Sequence, residues 1–295
     1  MVDIWDELRL NARAVLERGV LFEEDIERFC AQLEPCWVSR FDFSARAQEG
    51  KPPVPVPDVG VSKLGGWPDM AAGMEWPRTT GDATMDFVAQ VRLADGPALS
   101  GFPEDGLLLF FSGGGGGGDA DPPNRDLEHA VLLVEEGQTL APVERPACER
   151  FVYSKNYSPM PSRWKPSLCL VRVHGFDDYA DCTDELADKH DLSYLFISQV
   201  QQKLDEELTG FAAGAPDASD RWCRLPELGW SRFGGRMLDH RGDDTMRIVD
   251  ELADWRQVLS VNVDFSGFRE FLAHEDSISD LDFSGYHGTW DAHLH

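Results

Sequence analysis

The sequence predicts an α+β fold: a β-rich, largely antiparallel and duplicated core, with N-terminal helices and one later helix packed on it. Three observations support this prediction. The motif Ser-Lys-Leu-Gly-Gly, which begins at Ser62, returns about 170 residues later as Ser-Arg-Phe-Gly-Gly at Ser231. An apolar, strand-like segment follows each copy, and amphipathic helical patterns lie before the first copy and between the two. A repeat at a long period indicates that the architecture itself is duplicated.

The repeat divides the chain into four segments of one compact body. They are an N-terminal helical segment (1–49), the first copy (50–145), a connecting segment with a helix (146–222) and a second, degenerate copy (223–295). A chain of 295 residues is long enough to bury a sizeable core.

Two helices are predicted ahead of the first copy. Apolar residues recur at helical spacing over residues 3–18 and again over 22–33. Core packing is the usual fate of such stripes, although the pair could also present a binding face. Residues 36–43 alternate weakly and predict an edge strand. The prolines of residues 51–57 then exclude helix and central strand, which predicts an extended linker.

The first copy contains two clear strand patterns. Residues 87–93 alternate between apolar and mostly polar positions, as in a half-buried strand. Residues 106–111 are continuously apolar, as in a central strand, and antiparallel pairing of the two is predicted. The six glycines of 113–118 are followed by acidic residues and no lysine, so a flexible loop is favoured over a phosphate-binding loop.

The remaining elements follow from the same rules of periodicity and chain-breaking residues. The predictions are strands at 130–134 and 168–173, a loop at 151–163, helices at 193–208 and 245–255, a strand at 258–263 and a weak strand at 267–272.

Several elements of the first copy resemble the YwqG-like family, a bacterial domain of unknown function. The resemblance covers about residues 50–145 and is weaker over 220–295. It rests on Ser62–Pro68, Glu75–Arg78, Phe87–Val91, Phe102–Leu107 and Phe110-Phe111. It implies an α+β body with a duplicated, β-rich core and no established reaction. Some relatives look like immunity proteins encoded near secreted bacterial toxins, so a toxin-neutralising role is one interpretation.

The second copy departs from the family pattern. Arg236-Met237-Leu238 stands where Gly-Tyr-Pro is expected after the paired glycines, and Ser260 stands where glutamine is expected. A binding site that uses both copies is therefore in question.

The charge of the chain restricts its partners. The formal net charge is −26, from 53 acidic and 27 basic residues. Nucleic acids and anionic membrane surfaces need basic footprints and are disfavoured, whereas a basic protein would be attracted. An acidic surface also serves simply to keep a protein soluble. The N-terminal segment lacks the features of a signal peptide, which predicts a cytoplasmic protein with reduced thiols.

Five side chains are candidates for ligand binding. Lys63 and Arg232 hold equivalent positions, so both could line a groove and hold an anion, or each could pair with an acid inside the protein. Gln90 could bind a ligand or bond to a neighbouring loop. Trp67 and Trp76 could form the floor of a pocket or fix their loop onto the core.

No metal site, cofactor or catalytic residue is predicted. His287, Asp291, His293 and His295 form a compact metal-like cluster, but chain ends are usually mobile. No Gly-x-Ser-x-Gly or Cys/His signature occurs, and the question of catalysis stays open because triads are defined by geometry.

The function predicted from the sequence is that of a non-enzymatic cytoplasmic factor which binds a protein partner, of immunity type or accessory. The acidic composition, the missing catalytic motif and the family resemblance support this prediction. The alternative is a small-molecule-binding protein or an enzyme that uses a groove between the two repeats.

Overall fold

The computed structural model of the protein describes residues 3–18, 23–31, 33–40, 57–113, 129–146, 160–170, 194–211, 230–235, 255–264, 267–279 and 287–292. The helices within these ranges are α1 (Ile4–Glu17), α2 (Glu23–Ala31), α3 (Tyr194–Thr209) and α4 (Glu275–Ser279). The strands are β1 (Leu33–Arg40), β2 (Lys63–Leu64), β3 (Asp69–Ala71), β4 (Asp86–Arg92), β5 (Leu107–Ser112), β6 (His129–Val134), β7 (Leu140–Pro142), β8 (Met160–Pro161), β9 (Lys165–Leu170), β10 (Trp230–Phe233), β11 (Trp255–Asp264), β12 (Gly267–His274) and β13 (His287–Ala292).

The strands form two large sheets and one small one. Sheet A has six strands in the order β13-β12-β11-β10-β1-β9, and sheet B has five in the order β6-β5-β4-β2-β8. Sheet C pairs β3 with β7. The pairings are antiparallel throughout the described strands. The predicted α+β class with a largely antiparallel, β-rich core is therefore confirmed.

Sheets A and B pack face to face, and the main hydrophobic core lies between them. The Phe110 ring from sheet B lies 6.5 Å from that of Phe233 and 5.1 Å from that of Phe271, both in sheet A. Helices α1, α2 and α3 cover the outer face of sheet A around Leu168 and Leu204. Sheet C covers the outer face of sheet B. Each large sheet is thus covered on its inner face and on part of its outer face.

The two copies of the motif occupy equivalent places in the two large sheets. Lys63 of β2 lies opposite Gln90 of β4, and Arg232 of β10 lies opposite Ser260 of β11. Reading from one edge, β6-β5-β4-β2-β8 of sheet B corresponds to β13-β12-β11-β10-β1 of sheet A. The strand that completes each set, β8 or β1, comes from outside the repeated stretch of sequence.

The backbone after each motif copy follows the same path. The amide of Gly65 donates to the carbonyl of Val88 at 2.9 Å, and the amide of Gly234 donates to that of Val258 at 3.0 Å. These glycines have φ of 61° and 77°, in the left-handed region that glycine adopts without steric cost. A β-bulge lies at the corresponding place of β4 and of β11. The duplication therefore extends to backbone detail, while the residue bounds of the four segments stay predictions.

The predicted edge strand at 36–43 is wrong in its position within the sheet. Strand β1 begins earlier, at Leu33, and lies between β10 and β9 in the interior of sheet A. Leu33 itself belongs to this strand rather than to the preceding helix, and residues 41–43 lie outside the described residues. Both neighbours of β1 come from more than a hundred residues away along the chain, so local sequence carries no sign of them.

Strand β4 also differs from its prediction, because it is covered on both faces. Gln90 and its apolar neighbours Ala89 and Val91 are all buried, since sheet C packs over the side predicted to be polar and solvated. The loop predicted at 151–163 contains the two-residue strand β8. The glycine run beyond Gly113 and residues 245–254 of the predicted helix lie outside the described residues. Trp255, the last residue of that prediction, begins strand β11 instead. Among the helices that are described, none is long and apolar enough to cross a membrane.

Candidate functional site

Lys63 sits in a buried ion pair beneath sheet C. Its neighbour Leu64 belongs to the core between the sheets, so the alternation of a strand directs Lys63 to the outer face of sheet B. The ammonium Nζ lies 2.8 Å from Oδ1 of Asp69, the first residue of β3, and the two side chains are 5% and 0% exposed.

Gln90 and the loop before β2 complete this cluster. The Oδ2 atom of Asp69 accepts hydrogen bonds from the amide of Gly60 at 2.8 Å and from Nε2 of Gln90 at 2.7 Å. Gln90 Nε2 also donates to the carbonyl of Val61 at 2.7 Å, and its Oε1 accepts from the amide of Asp69 at 2.9 Å. The amide of Gln90 therefore ties strands β3 and β4 to the loop at Gly60, and both its ends are engaged within the protein.

Arg232 forms the corresponding cluster on the outer face of sheet A, but its partner comes from a helix. The guanidinium makes two hydrogen bonds to Asp205 of α3, one of them 3.1 Å from Nη1 to Oδ1 and the other from Nη2 to Oδ2. Asp205 Oδ1 also accepts from Ser167 at 2.9 Å and from Gln201 at 3.1 Å. Burial acts to lower the pKa of Arg232, but the Asp205 carboxylate more than offsets it and raises the pKa above its ordinary value. The group therefore stays cationic.

The two clusters share one arrangement, but a different element supplies the acidic residue in each. Each motif copy places a basic side chain on the outer face of its sheet, and each receives a buried carboxylate from whatever covers that face. Sheet C supplies Asp69 in the first copy, and helix α3 supplies Asp205 in the second. Sequence reasoning found both basic residues and missed both acids. Asp69 stands three residues beyond the motif, whereas Asp205 is one of several acids on its helix and has no sequence signal.

The two tryptophans predicted for a binding site differ in exposure. Trp76 donates from Nε1 to the carbonyl of Met85 at 2.8 Å and packs edge-on against Phe111 with ring centroids 5.4 Å apart. It therefore fixes its loop onto the core, which was one of its two interpretations. Trp67 is 39% exposed. Of the five predicted ligand-binding side chains, it alone presents a large open surface, and the binding role of all five stays a prediction.

Two buried cysteines and a glycine pack closely beside the Arg232 cluster. Cys36 and Cys169 are fully buried, and a Cβ atom on Gly235 would collide with Sγ of Cys169. Gly235, which has φ of 85°, thus allows the second motif copy to lie directly on these cysteines. Burial, with a hydrogen bond to Cys169, raises the pKa of the Cys36 thiol well above its ordinary range.

These surroundings predict the order in which the thiols react. Alkylation depends on the thiolate and on access, so iodoacetamide at pH 8 should modify half-buried Cys30 well before Cys36 in the native protein. Peptide mass spectrometry over a time course measures this, with the urea-unfolded protein as the control in which both react. Equal native rates for the two cysteines would contradict the burial described here.

The histidine cluster considered as a metal site is only partly within the described residues. His287 and Asp291 belong to β13, and His293 and His295 lie outside the described residues. Within the described part of the chain, no group of three or more histidine, cysteine or acidic residues is arranged to hold a metal ion.

A comparison with protein families finds one match that bears on this architecture. The model of a family described as "Domain of unknown function (DUF1963)" matches residues 62–292, a range that begins at the first motif serine and contains both copies of the motif. A search of curated proteins finds no relative. The match agrees with the expectation of a domain of unknown function, while the likeness to the YwqG-like family stays a resemblance.

Proposed function

The chain belongs to the family described as "Domain of unknown function (DUF1963)", and from this premise we propose that it is a non-enzymatic cytoplasmic factor that binds a basic protein. The observation that carries the proposal is a group of unpaired carboxylates at one end of sheet B. Two turns meet there, one before β5 and one after β6. We call this group the acidic edge; its members are Glu104, Asp105, Glu135 and Glu136.

The strand register brings these turns together. Leu107 of β5 lies opposite Val134 of β6, so the residues just before Leu107 and just after Val134 are neighbours. Gly106, with φ of 104°, allows the close approach, because a Cβ there would lie 2.9 Å from the carbonyl oxygen of Val134. All four side chains of the acidic edge are exposed.

Arg92 of β4 lies opposite Leu107 and is therefore the basic residue beside the acidic edge. Lys63, Arg78 and Arg145 lie elsewhere in the first copy and are engaged in ion pairs with Asp69, Asp82 and Asp86, respectively. The acidic edge makes no ion pair with the described residues. Exposed carboxylates of one sign, on a chain of net charge −26, create a potential that attracts and orients a basic partner.

An immunity-type or accessory role fits this surface. A protein that neutralises a basic toxin must bind it quickly, and electrostatic steering raises association rates by orders of magnitude. The resemblance to relatives that look like immunity proteins points to the same class of partner. No catalytic group is needed for such a role.

Affinity purification of the tagged protein from its own cells, at about 50 and about 300 mM salt, tests the proposal. We expect mass spectrometry to identify a basic protein that is retained at low salt and largely lost at the higher salt. The variant Glu104→Gln, Asp105→Asn, Glu135→Gln, Glu136→Gln should associate with that partner about tenfold more slowly. A matched control removes four exposed carboxylates elsewhere, with Glu7→Gln, Glu23→Gln, Asp58→Asn and Glu144→Gln.

Recovery of no stoichiometric protein at either salt concentration would overturn the proposal. The same conclusion follows if the retained partner is acidic, or if the control variant slows association as much as the acidic-edge variant does.

A further inference from the structure

Each motif serine lies next to its basic residue and faces the opposite way, into the space between the sheets. Ser62 precedes Lys63 and Ser231 precedes Arg232, so strand alternation directs both serines inward. Both are buried. The Oγ of Ser62 donates to the Asp95 carboxylate at 2.5 Å and accepts from the amide of Arg92 at 2.8 Å.

A second serine lies opposite each motif serine. Ser39 of β1 pairs with Ser231, and the amide of Ser162, next to β8, donates to the carbonyl of Ser62 at 3.0 Å. Because β1 and β8 hold the same place in their sheets, Ser39 and Ser162 are equivalent under the duplication. We call Ser39, Ser62, Ser162 and Ser231 the inner serines.

Trp164 joins the two pairs of inner serines. It stands two residues after Ser162, a span of about 7 Å at most in extended chain. It also immediately precedes Lys165, whose partner Val38 immediately precedes Ser39. The indole belongs to the core between the sheets and lies 6.3 Å from the Phe233 ring, measured between ring centroids. The chain thus crosses from sheet B to sheet A beside both serine pairs.

Three polar atoms in this small region are buried without a hydrogen-bond partner among the described residues. They are Oγ of Ser39, Oγ of Ser162 and Nε1 of Trp164, on residues that are 0%, 8% and 6% exposed. A buried polar group without a partner costs free energy, and native proteins rarely leave one in this state. Here three occur together, contributed by equivalent positions of the strands that complete the two sheets and by the crossover between them.

We propose that Ser39, Ser162 and Trp164 form a binding site for a small, uncharged, hydroxyl-bearing molecule held between the two sheets. The indole N–H only donates, so the guest must accept a hydrogen bond. Each serine hydroxyl both donates and accepts, so a guest that also donates can bond fully to all three groups. A hydroxyl group, from water or from an alcohol or polyol, meets this requirement. A charged guest is disfavoured because the apolar side chains of Trp37, Leu64 and Phe233 lie in the same core.

Whether the melting temperature falls or rises when the serine hydroxyls are removed tests whether the site is filled. If a guest bonds to Ser39 and Ser162, the double variant Ser39→Ala, Ser162→Ala loses those bonds and should melt about 3–6 °C lower. If the site is empty, removing two unsatisfied hydroxyls leaves the melting temperature unchanged or raises it, which overturns the proposal. Ser167→Ala, which removes a buried hydroxyl bonded to Asp205, is the matched control for a satisfied serine.

A second readout reports on the indole directly. The Nε1–H resonance of Trp164, assigned through Trp164→Phe, should shift in the double variant because the guest it donates to is lost. An unchanged resonance would overturn the proposal even if the double variant is destabilised. The resonance therefore distinguishes destabilisation by altered packing at the alanines from destabilisation by loss of the guest.

Refolding then distinguishes the two sources of the hydroxyl. The protein is unfolded in guanidinium, desalted and refolded in plain buffer, with and without added glycerol as the probe. If water is the guest, the refolded protein recovers its melting temperature and Trp164 resonance in plain buffer. If an alcohol or polyol is the guest, both recover only when glycerol is added. Failure to recover under either condition, with the far-UV spectrum restored, would overturn the proposal.

Discussion

Replacing Arg232 with methionine is expected to lower the free energy of unfolding by about 3–5 kcal/mol, the usual cost of breaking a buried ion pair by removing one partner. The variant leaves the Asp205 carboxylate, which is 0% exposed, without its cation beneath helix α3. Ser167 and Gln201 still donate to Asp205, but neither carries a charge. Urea unfolding followed by circular dichroism measures the loss.

The double variant Arg232→Met, Asp205→Leu shows whether the loss comes from the orphaned charge. We expect it to recover part of the stability, because a buried ion pair replaced by apolar side chains of similar size is often neutral or better. The recovery is incomplete because Ser167 and Gln201 lose an acceptor. Arg9→Met is the surface control: its pair with Asp6 is largely exposed, so no measurable change is expected. A double variant no more stable than Arg232→Met would show that shape, rather than charge, dominates at this site.

Replacing Phe233 with alanine is expected to lower the free energy of unfolding by about 3–5 kcal/mol, the range found for large-to-small substitutions of buried aromatic residues. The ring is fully buried between sheets A and B. Its centroid lies 4.9 Å from that of Phe102, 5.2 Å from that of Trp37 and 6.5 Å from that of Phe110. Removing the ring leaves a space that residues from both copies surround.

Phe233→Leu is the matched control, because it keeps most of the buried apolar volume and should cost clearly less. Guanidinium unfolding of both variants, with the slope of the transition compared to that of the native protein, measures the two costs. Equal losses for leucine and alanine would show that this core collapses around the missing ring. A loss below about 1 kcal/mol for alanine would contradict the central place of Phe233 in the core.

The candidate residues show which features local sequence can predict and which it cannot. The pattern around Gln90 correctly indicated a strand with a polar position. It could not indicate that Asp69 and sheet C cover that position, since period-two alternation is the same whether a polar face meets water or other protein groups. Gln90, for which bonding to a neighbouring loop was one of the two predicted roles, is buried and bonded at both ends.

Local sequence also fails to predict the partner of Arg232, which lies further away along the chain. Its equivalence to Lys63 was visible in the motif, and the structure places the two at matching positions of the two sheets. Its partner Asp205 is 27 residues away in the chain, and the ion pair exists only because α3 packs on β9. A helix pattern predicts which face is apolar, but not which acidic residue at the border of that face will meet a cation.

By itself, the sequence determined the fold class, the helices α1, α2 and α3, the strands β4, β5, β6 and β11, the duplication and the acidic character of the surface. Each of these depends on local periodicity, on a repeated motif or on composition. The tertiary structure alone decided the central place of β1, the burial of Lys63, Gln90 and Arg232 in internal bonds, and the meeting of the inner serines. Those features depend on contacts between residues far apart in the chain, which folding brings together and local sequence does not encode.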